Sequence, residues 1–485
     1  MYGDITIAYG DGIGPEIMKS VVKILKKVDK KLEFKEIKIG EHMYNRSYSS
    51  GISEHDLDAI KSSEAFLKAP ITTPQGGGYK SLNVTIRKLF GLYANIRPAI
   101  SYHPFIKTLY PNLDVIVIRE NEEDLYSGIE YRSSHDLREA IKITTITGCK
   151  KIIRYAFEYA VKNKRKKVTC LTKDNIMKFS EGIFHKIFDE IAQNYPDIIA
   201  EHYIVDIGTA KIVSDPARFD VIVTSNLFGD IISDVTAEMS GSVGLSGSAN
   251  IGDDFAMFEA IHGSAPRLAG QNIANPSGLL NAAIMMLRHI GKIKSAALIA
   301  NAWRKTIEDG IHTADIYNEA YSTKKVTTTD FTQAIIDRLG QNPDKLATVK
   351  FSDGNKSQQL LEPIKYVIDT QETKVLVGFD LYMNIQIDSI SRLVDKINSL
   401  LGKNSDIFIN NISTKGLKIW PNSSVKKIVS DHYCFRFLSK TPKQVERSNI
   451  TSLLSKLDES EMDYTKVICL YRFGNEIGYS LLQAE

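Results

Sequence analysis

Ile5-Thr6-Ile7-Ala8-Tyr9-Gly10-Asp11-Gly12-Ile13-Gly14-Pro15-Glu16 runs from a β-branched stretch through a glycine turn into a helical pattern that continues to Lys30. Strand, tight turn and helix in that order open an α/β fold. The turn has the outline of a GxGxxG dinucleotide fingerprint, but the third glycine would fall at position 15, which is proline. Proline suits the first turn of a helix, where its missing N–H costs nothing. The segment therefore reads as a structural turn, and a Rossmann route to a nucleotide is disfavoured.

Outward from this stretch the alternation continues to about Gly340. Strands are expected at Leu113 to Arg119, Val168 to Leu171 and Val221 to Thr224, and helices at Lys150 to Asn163, Leu279 to His289 and Leu298 to Asp309. Residues 1–340 read as one catalytic α/β body, and 341–373 as a polar linker containing Gly354 to Ser357, with a short ordered piece at Leu360 to Asp369. Beyond it come a strand (Lys374 to Met383), a helix (Asp388 to Leu401), strands (Asp406 to Asn410, His432 to Leu438), a helix (Pro442 to Leu457) and a strand (Lys466 to Phe473). That βαββαβ order over 374–485 is the ferredoxin-like arrangement.

Composition narrows the function. With 61 Lys+Arg against 58 Asp+Glu the net charge is +3, and the basic run Lys162 to Lys167 lacks interleaved aromatics, so it reads as the solvated end of a helix and nucleic acid is not an expected partner. No apolar run approaches the roughly 20 residues of a membrane span. Cys149, Cys170, Cys434 and Cys469 are scattered, without CxxC spacing, which fits a reducing compartment; a cytoplasmic protein is expected, the strand at Asp4 to Tyr9 leaving no room for a leader.

Three further segments carry chemistry. Ser81-Leu-Asn83-Val-Thr-Ile-Arg87, followed by Arg97 and Arg119, supplies two small hydrogen-bonding groups and three guanidiniums, a set suited to a small polycarboxylate because arginine forks bind carboxylates bidentately. Surface ion pairing is the alternative for Arg119, given Glu120, Glu122, Glu123 and Asp124 beside it. In Asn226-Leu-Phe-Gly229-Asp230-Ile-Ile-Ser233-Asp234 the two aspartates are four apart, hence on one helical face. Such carboxylates repel unless a cation or proton neutralises them, and hard oxygen donors suit magnesium or manganese; helix capping by Asp230 is the plainer alternative. Glu259-Ala-Ile-His262-Gly263-Ser264-Ala265-Pro266-Arg267-Leu268-Ala-Gly270, then Asn275-Pro276, has small residues that let a backbone approach a ligand and side chains able to bond an adenine edge.

These segments, in this order, resemble the β-decarboxylating dehydrogenase family, which holds isocitrate and isopropylmalate dehydrogenases; the resemblance covers about residues 3–340. It implies a two-subdomain α/β body without a Rossmann motif and a homodimer with shared active sites, with a higher oligomer left open. By the match of motifs, Ser81, Asn83, Arg87, Arg97 and Arg119 fall on substrate-binding positions, Tyr126 and Lys173 on catalytic ones, and Asp206, Asp230 and Asp234 on metal carboxylates. Lys173 and Asp206 would serve the partner's site. Thr72, the loop His262, Gly263, Ser264, Ala265, Pro266, Arg267 and Leu268, and Asn275 fall on cofactor contacts.

The implied reaction is oxidation and decarboxylation of isocitrate to 2-oxoglutarate with Mg2+ or Mn2+. Ser81 and Asn83 favour a third carboxylate over an isopropyl group, which would want apolar contacts. Isopropylmalate, homoisocitrate and tartrate are the rival substrates, and a non-catalytic tricarboxylate sensor is the rival of another class; the presence of Tyr126, Lys173 and all three aspartates speaks against it. NADP is expected because Arg267 can bind a 2′-phosphate and no acid stands beside it, although NAD stays open: Arg267-Leu268 matches neither common pair of the family, and Ala314 and Asn318 stand where some NADP members carry tyrosine and arginine. For the C-terminal domain, assembly is preferred over small-molecule regulation, since it shows no run of ligand-type residues.

Overall fold

The computed structural model describes residues 5–46, 48, 50–74, 81–351, 372–386, 389–422, 430–441 and 444–482. Most of the expected linker, including its possible ordered piece at 360–369, lies outside these residues, as do Asp4, Asp388 and Pro442 at the ends of three expected elements. Two compact units are formed, one from Met1–Ser127 with Lys142–Lys365, the other from Gly128–Ile141 with Tyr366–Glu485.

The first unit is built on a ten-stranded mixed sheet. Its strands are β1 (Ile5–Ala8), β2 (Phe34–Ile37), β3 (Ala65–Lys68), β4 (Ala94–Ile100), β5 (Asp114–Glu120), β8 (Lys167–Thr172), β9 (Ile199–Ile204), β10 (Val221–Thr224), β11 (Gly247–Ile251) and β12 (Ala256–Ala260). Across the sheet the order is β2-β1-β3-β12-β11-β4-β5-β10-β8-β9. The first four strands are mutually parallel, as are the last four; β11 and β4, antiparallel to their neighbours, join the halves. Two parallel half-sheets joined through antiparallel strands give the expected two-subdomain body.

Both faces are buried, so the strands read as continuous apolar runs. Ile116 and Ile118 face one core while Val115 and Val117 face another, and Val221 and Val223 oppose Ile222 in the same way. The shared core on one face is closed by the helices Gly14–Val28, Ile146–Lys162, Ser277–His289 and Ile293–Glu308. A smaller parallel pair, β13 (Ile311–His312) and β14 (Lys324–Lys325), lies apart from the sheet. Residues 343–351 do not run free: Glu308 accepts the amides of Asp344, Lys345 and Leu346, and Asn301 exchanges two bonds with Val349.

The second unit contains β15 (Lys374–Asn384), β16 (Ile407–Thr414), β17 (Leu417–Trp420), β18 (His432–Ser439), β19 (Tyr464–Phe473) and β20 (Glu476–Ile477), with helices Ile390–Leu401 and Arg447–Glu459. Its sheet order, β17-β16-β18-β15-β19-β20, contains the antiparallel ferredoxin-like core with a hairpin strand added at each edge. Phe379 pairs in register with Phe437, their rings 4.8 Å apart, on the face covered by helices. On the other face Asp380 binds the guanidinium of Arg436 at 2.8 and 2.9 Å. The hairpin of β6 (Glu130–Arg132) and β7 (Arg138–Ala140) belongs to this unit, tied by Lys466 to Glu139 at 2.6 Å and Ser134 to Asp431 at 2.8 Å.

Candidate active site

The glycine turn that opens the chain forms the floor of one cavity. Asp11 donates its amide to Pro70 and Ile13 donates to Ser264, both at 2.8 Å. Gly12 has φ +59°, and a Cβ there would stand 2.0 Å from the Ser264 carbonyl, so only glycine admits the approach. The Asp11 carboxylate accepts the Thr72 amide at 2.9 Å, and the hydroxyls of Thr72 and Ser264 meet at 2.8 Å. Glu16 accepts the amides of Asn272 and Ala274 and the Thr328 hydroxyl, pinning the loop before Asn275. Asn275 is held by Asp315 at 2.9 Å.

Above this floor lies a cavity of about 640 Å³, lined by Ile13, Gly244, His262, Gly263, Ala265, Leu268, Ile273, Ala274, Asn275 and Asp315 among others. Its apolar walls with a few polar groups suit a flat base. Ala265 adopts φ +38°, turning the chain into the short helix Pro266–Leu268. Arg267 is exposed there, and its guanidinium has no ion-pair partner among the described residues. His262 Nε2 is buried without a hydrogen-bond partner.

His262 and Gly263 also line a second cavity, of about 190 Å³. Ser81, Asn83, Arg87, Arg97, Arg119, Tyr126 and Asp230 all face it, with Lys68 and Glu259. Ser81 begins the helix Leu82–Leu89, which places Asn83 and Arg87 one turn apart on one side. Asn83 Oδ1 and Arg87 Nε are buried without partners among the described residues. Orphaned buried polar atoms facing a cavity are costly unless a ligand meets them.

The arginines come from separate elements, Arg87 from that helix, Arg97 from β4 and Arg119 from β5, and all three are buried. Burial first, then the charges of Arg97 and Arg87, push the Arg119 guanidinium down to about 9. It stays charged at neutrality, but the shift marks a pocket with uncompensated positive charge, which a polycarboxylate would relieve. Glu259 neutralises part of it, binding Lys68 at 2.7 Å and Arg87 at 2.9 Å.

Asp230 offsets a further part. Its carboxylate accepts from Arg97 at 3.2 Å, from Arg119, and from the Tyr126 hydroxyl at 2.6 Å. Burial raises its pKa, but Arg119 and Arg97 outweigh that and leave it lowered. Asp234, one turn on, lies 3.6 Å from Arg97; burial and the neighbouring Asp230 push its carboxyl up against that arginine's pull. Two carboxylates on one helical face, one of them short of compensating charge, fit a hard divalent cation. Tyr126 has its phenol pushed up, by burial first, with Arg119 opposing from 4.7 Å above the ring.

Lys173 and Asp206 do not line this cavity. They pair with each other at 2.9 Å, Lys173 just beyond β8 and Asp206 in the first turn of the helix Val205–Ser214. Sequence reasoning assigned no role to Lys68, Asp11, Glu16 or Asp315, which position the groups it did single out. Lys68 carried one signal, a charge ending the apolar run of β3 that burial of the whole strand makes costly.

Fold and site together define a class: a nucleotide-linked enzyme with an arginine-lined pocket for a small polycarboxylate and no Rossmann turn. Residues 4–335 match the isocitrate/isopropylmalate dehydrogenase family, and 374–485 match the C-terminal domain of bacterial isocitrate dehydrogenase. The chain belongs to the isocitrate/isopropylmalate dehydrogenase family. It is 58% identical over 481 residues to an isocitrate dehydrogenase [NADP] of Rickettsia bellii, covering 99% of both chains. The crystal structure of the TT0538 protein from Thermus thermophilus superposes with a TM-score of 0.92 at 36% identity, over 99% of this chain and 96% of that one. Isocitrate dehydrogenase from Methylococcus capsulatus gives 0.67 at 42% identity, covering 70% of this chain and 100% of that one.

Proposed function

We propose that the protein oxidises isocitrate with NADP and decarboxylates the product to 2-oxoglutarate, with Mg2+ or Mn2+, as part of the tricarboxylic acid cycle in the cytoplasm. The observation that carries this is the convergence of Arg87, Arg97, Arg119, Ser81, Asn83, Tyr126 and Asp230 on one cavity that shares His262 and Gly263 with the larger cavity beside it. A substrate in the first would present its reacting carbon to a nicotinamide reaching over from the second. The relatives' NADP use and the unpaired Arg267 support the choice of nucleotide. Four free cysteines support a reducing compartment, and no helix of the described residues is long and apolar enough to cross a membrane.

In this reading the arginines hold the substrate carboxylates, and Ser81 and Asn83 take the one that distinguishes isocitrate from isopropylmalate. Asp230 and Asp234 would hold the metal with Asp206 of the partner subunit, where it lowers the cost of negative charge developing on the substrate oxygens. Lys173 of the partner subunit would take the C2 hydroxyl proton, and the nicotinamide, when bound, would supply the hydride acceptor for C2. The resulting β-keto acid would lose carbon dioxide, and Tyr126, a phenol protonated at neutrality whose pKa burial raises further, would return a proton to the enolate carbon.

A homodimer is part of this reading, supported by the separation of Lys173 and Asp206 from the cavity. Ile176 and Phe179, just after Lys173, are 69% and 53% exposed, and Ile207 and Ile231 on the two neighbouring helices are 49% and 53% exposed, a surface that a second copy would cover. The C-terminal unit is assigned to assembly, supported by exposed Leu417 and Ile477 on its edge strands. A cavity of about 580 Å³ between Leu400–Ser405 and Ser448–Lys456 favours regulation as the second reading.

The shared site is tested by subunit complementation. Lys173→Ala and Tyr126→Phe chains, each nearly inactive alone, are expected to regain activity when co-expressed, because the mixed dimer contains one intact site; no regain would refute the sharing. Deleting 374–485 is expected to change the oligomer measured by light scattering.

A further inference from the structure

Asp174, His185 and His202 come together from three elements: the residue after Lys173, the helix Ser180–Ala192 and β9. Asp174 Oδ2 lies 2.7 Å from His185 Nδ1 and 4.0 Å from His202 Nε2. The two imidazoles stack with centroids 3.5 Å apart and planes 17° from parallel. Asp189, one turn beyond His185, brings a carboxylate oxygen to 3.7 Å from His185 Nε2, and the Thr172 hydroxyl lies 2.8 Å from His202 Nε2. All three side chains are partly exposed in the single chain.

We propose that Asp174, His185 and His202 form a binding site for a zinc-class divalent ion, separate from the carboxylates of the active site. One potential ligating atom from each residue falls within 4.8 Å of the others. Two imidazole nitrogens and one carboxylate oxygen suit Zn2+ or Co2+, with water as fourth ligand, whereas Mg2+ prefers an all-oxygen octahedron. With bonds of about 2.0–2.1 Å, donors across a tetrahedral ion stand about 3.3 Å apart. The His185 contact with Asp174, now 2.7 Å, has to open by about 0.6 Å, and the His202 contact, now 4.0 Å, to close by about 0.7 Å. The rings must also turn out of their stack so that both lone pairs meet one centre.

The metal-free arrangement favours such capture. Burial and the facing ring of His185 hold the His202 pKa below its ordinary value, with Asp174 and Asp189 opposing. At least one imidazole of the stacked pair is therefore neutral near pH 7 and offers a lone pair. The site does not depend on the proposed reaction.

The test uses tag-free, full-length protein stripped with chelator, then titrated with Co2+ in excess Mg2+. The expected result is one Co2+ per chain with the intense visible absorption of a four-coordinate ion, displaced stoichiometrically by Zn2+. His185→Ala and His202→Ala should each weaken that binding by at least about tenfold, and His185→Gln should do the same with less disturbance to packing. Only the pale spectrum of a six-coordinate ion, or an affinity unchanged in the variants, would overturn the proposal. If the variants fail to fold, the wild-type spectrum decides between the same two results.

Discussion

Tyr126 donates its hydroxyl hydrogen to Oδ2 of Asp230 at 2.6 Å, while Oδ1 of the same carboxylate receives Arg97 and Arg119. The proposed proton donor and a proposed metal ligand are thus joined before any ligand arrives. Substrate carboxylates would draw the arginines away, freeing Asp230 for the cation and Tyr126 for the enolate.

Tyr126→Phe keeps the ring under Arg119 and removes the hydroxyl, hence both the transferable proton and the bond to Asp230. Loss of a positioned acid costs about 10²–10⁴ in rate. The expected outcome is a fall of that size in kcat with little change in KM for isocitrate, read from steady-state kinetics. An equal fall for isocitrate oxidation and for reduction of added oxalosuccinate would place Tyr126 in binding instead.

Arg119→Lys keeps the charge but loses the fork that binds Asn226 through Nε and Nη2 at 3.0 and 2.7 Å. A hydrogen bond to a charged group contributes about 1.5–3 kcal/mol, so kcat/KM for isocitrate should drop by roughly tenfold to a hundredfold. Circular dichroism should show an intact fold.

Much of this site was legible in the chain because each group sits in a short local pattern. The four-residue spacing set Asp230 and Asp234 on one helical face, although the helix begins at Asn226 and not after Gly229 as the glycine suggested, and the proline at position 15 excluded a Rossmann turn, which Gly12 against Ser264 confirms as a tight structural approach. What local pattern could not reveal was long-range pairing. Lys68 and Glu259 are 191 positions apart, and only the parallel register of β3 with β12 makes them neighbours. Within the C-terminal unit two strands were missed for a similar reason. β17 follows a two-residue turn, Lys415-Gly416, with φ of 49° and 75°, a geometry usually marked by asparagine or aspartate before glycine. The short β20 is defined by its pairing with β19 alone.

Arg267→Ala removes the exposed guanidinium proposed to read the 2′-phosphate. The specificity constant for NADP should fall by about tenfold to a hundredfold while that for NAD stays within about twofold. Parallel losses for both nucleotides would move the phosphate contact elsewhere.

Glu120 is buried beside Glu122 and Glu123, and its carboxyl is pushed up to about 7, by burial first; the Glu123 and Glu122 charges add to this and their backbone amides partly offset it. Its unfolded value is about 4.3, so between there and about 7 the folded state binds more protons than the unfolded one. This group therefore stabilises the fold less as pH rises through that window. Glu120→Gln removes the titration, and the stability of the wild type relative to the variant should decline from about pH 4.5 to about 7. Midpoints of chemical unfolding across that range check the sign; a difference that does not vary with pH would contradict it.

The central claim is tested most directly by initial rates of nucleotide reduction with isocitrate or isopropylmalate, with NADP or NAD, and with Mg2+ or chelator. The account predicts rapid, chelator-sensitive reduction of NADP by isocitrate, one carbon dioxide released per nucleotide reduced, and little turnover of isopropylmalate. Preference for isopropylmalate, or no turnover of isocitrate with either nucleotide, would contradict it.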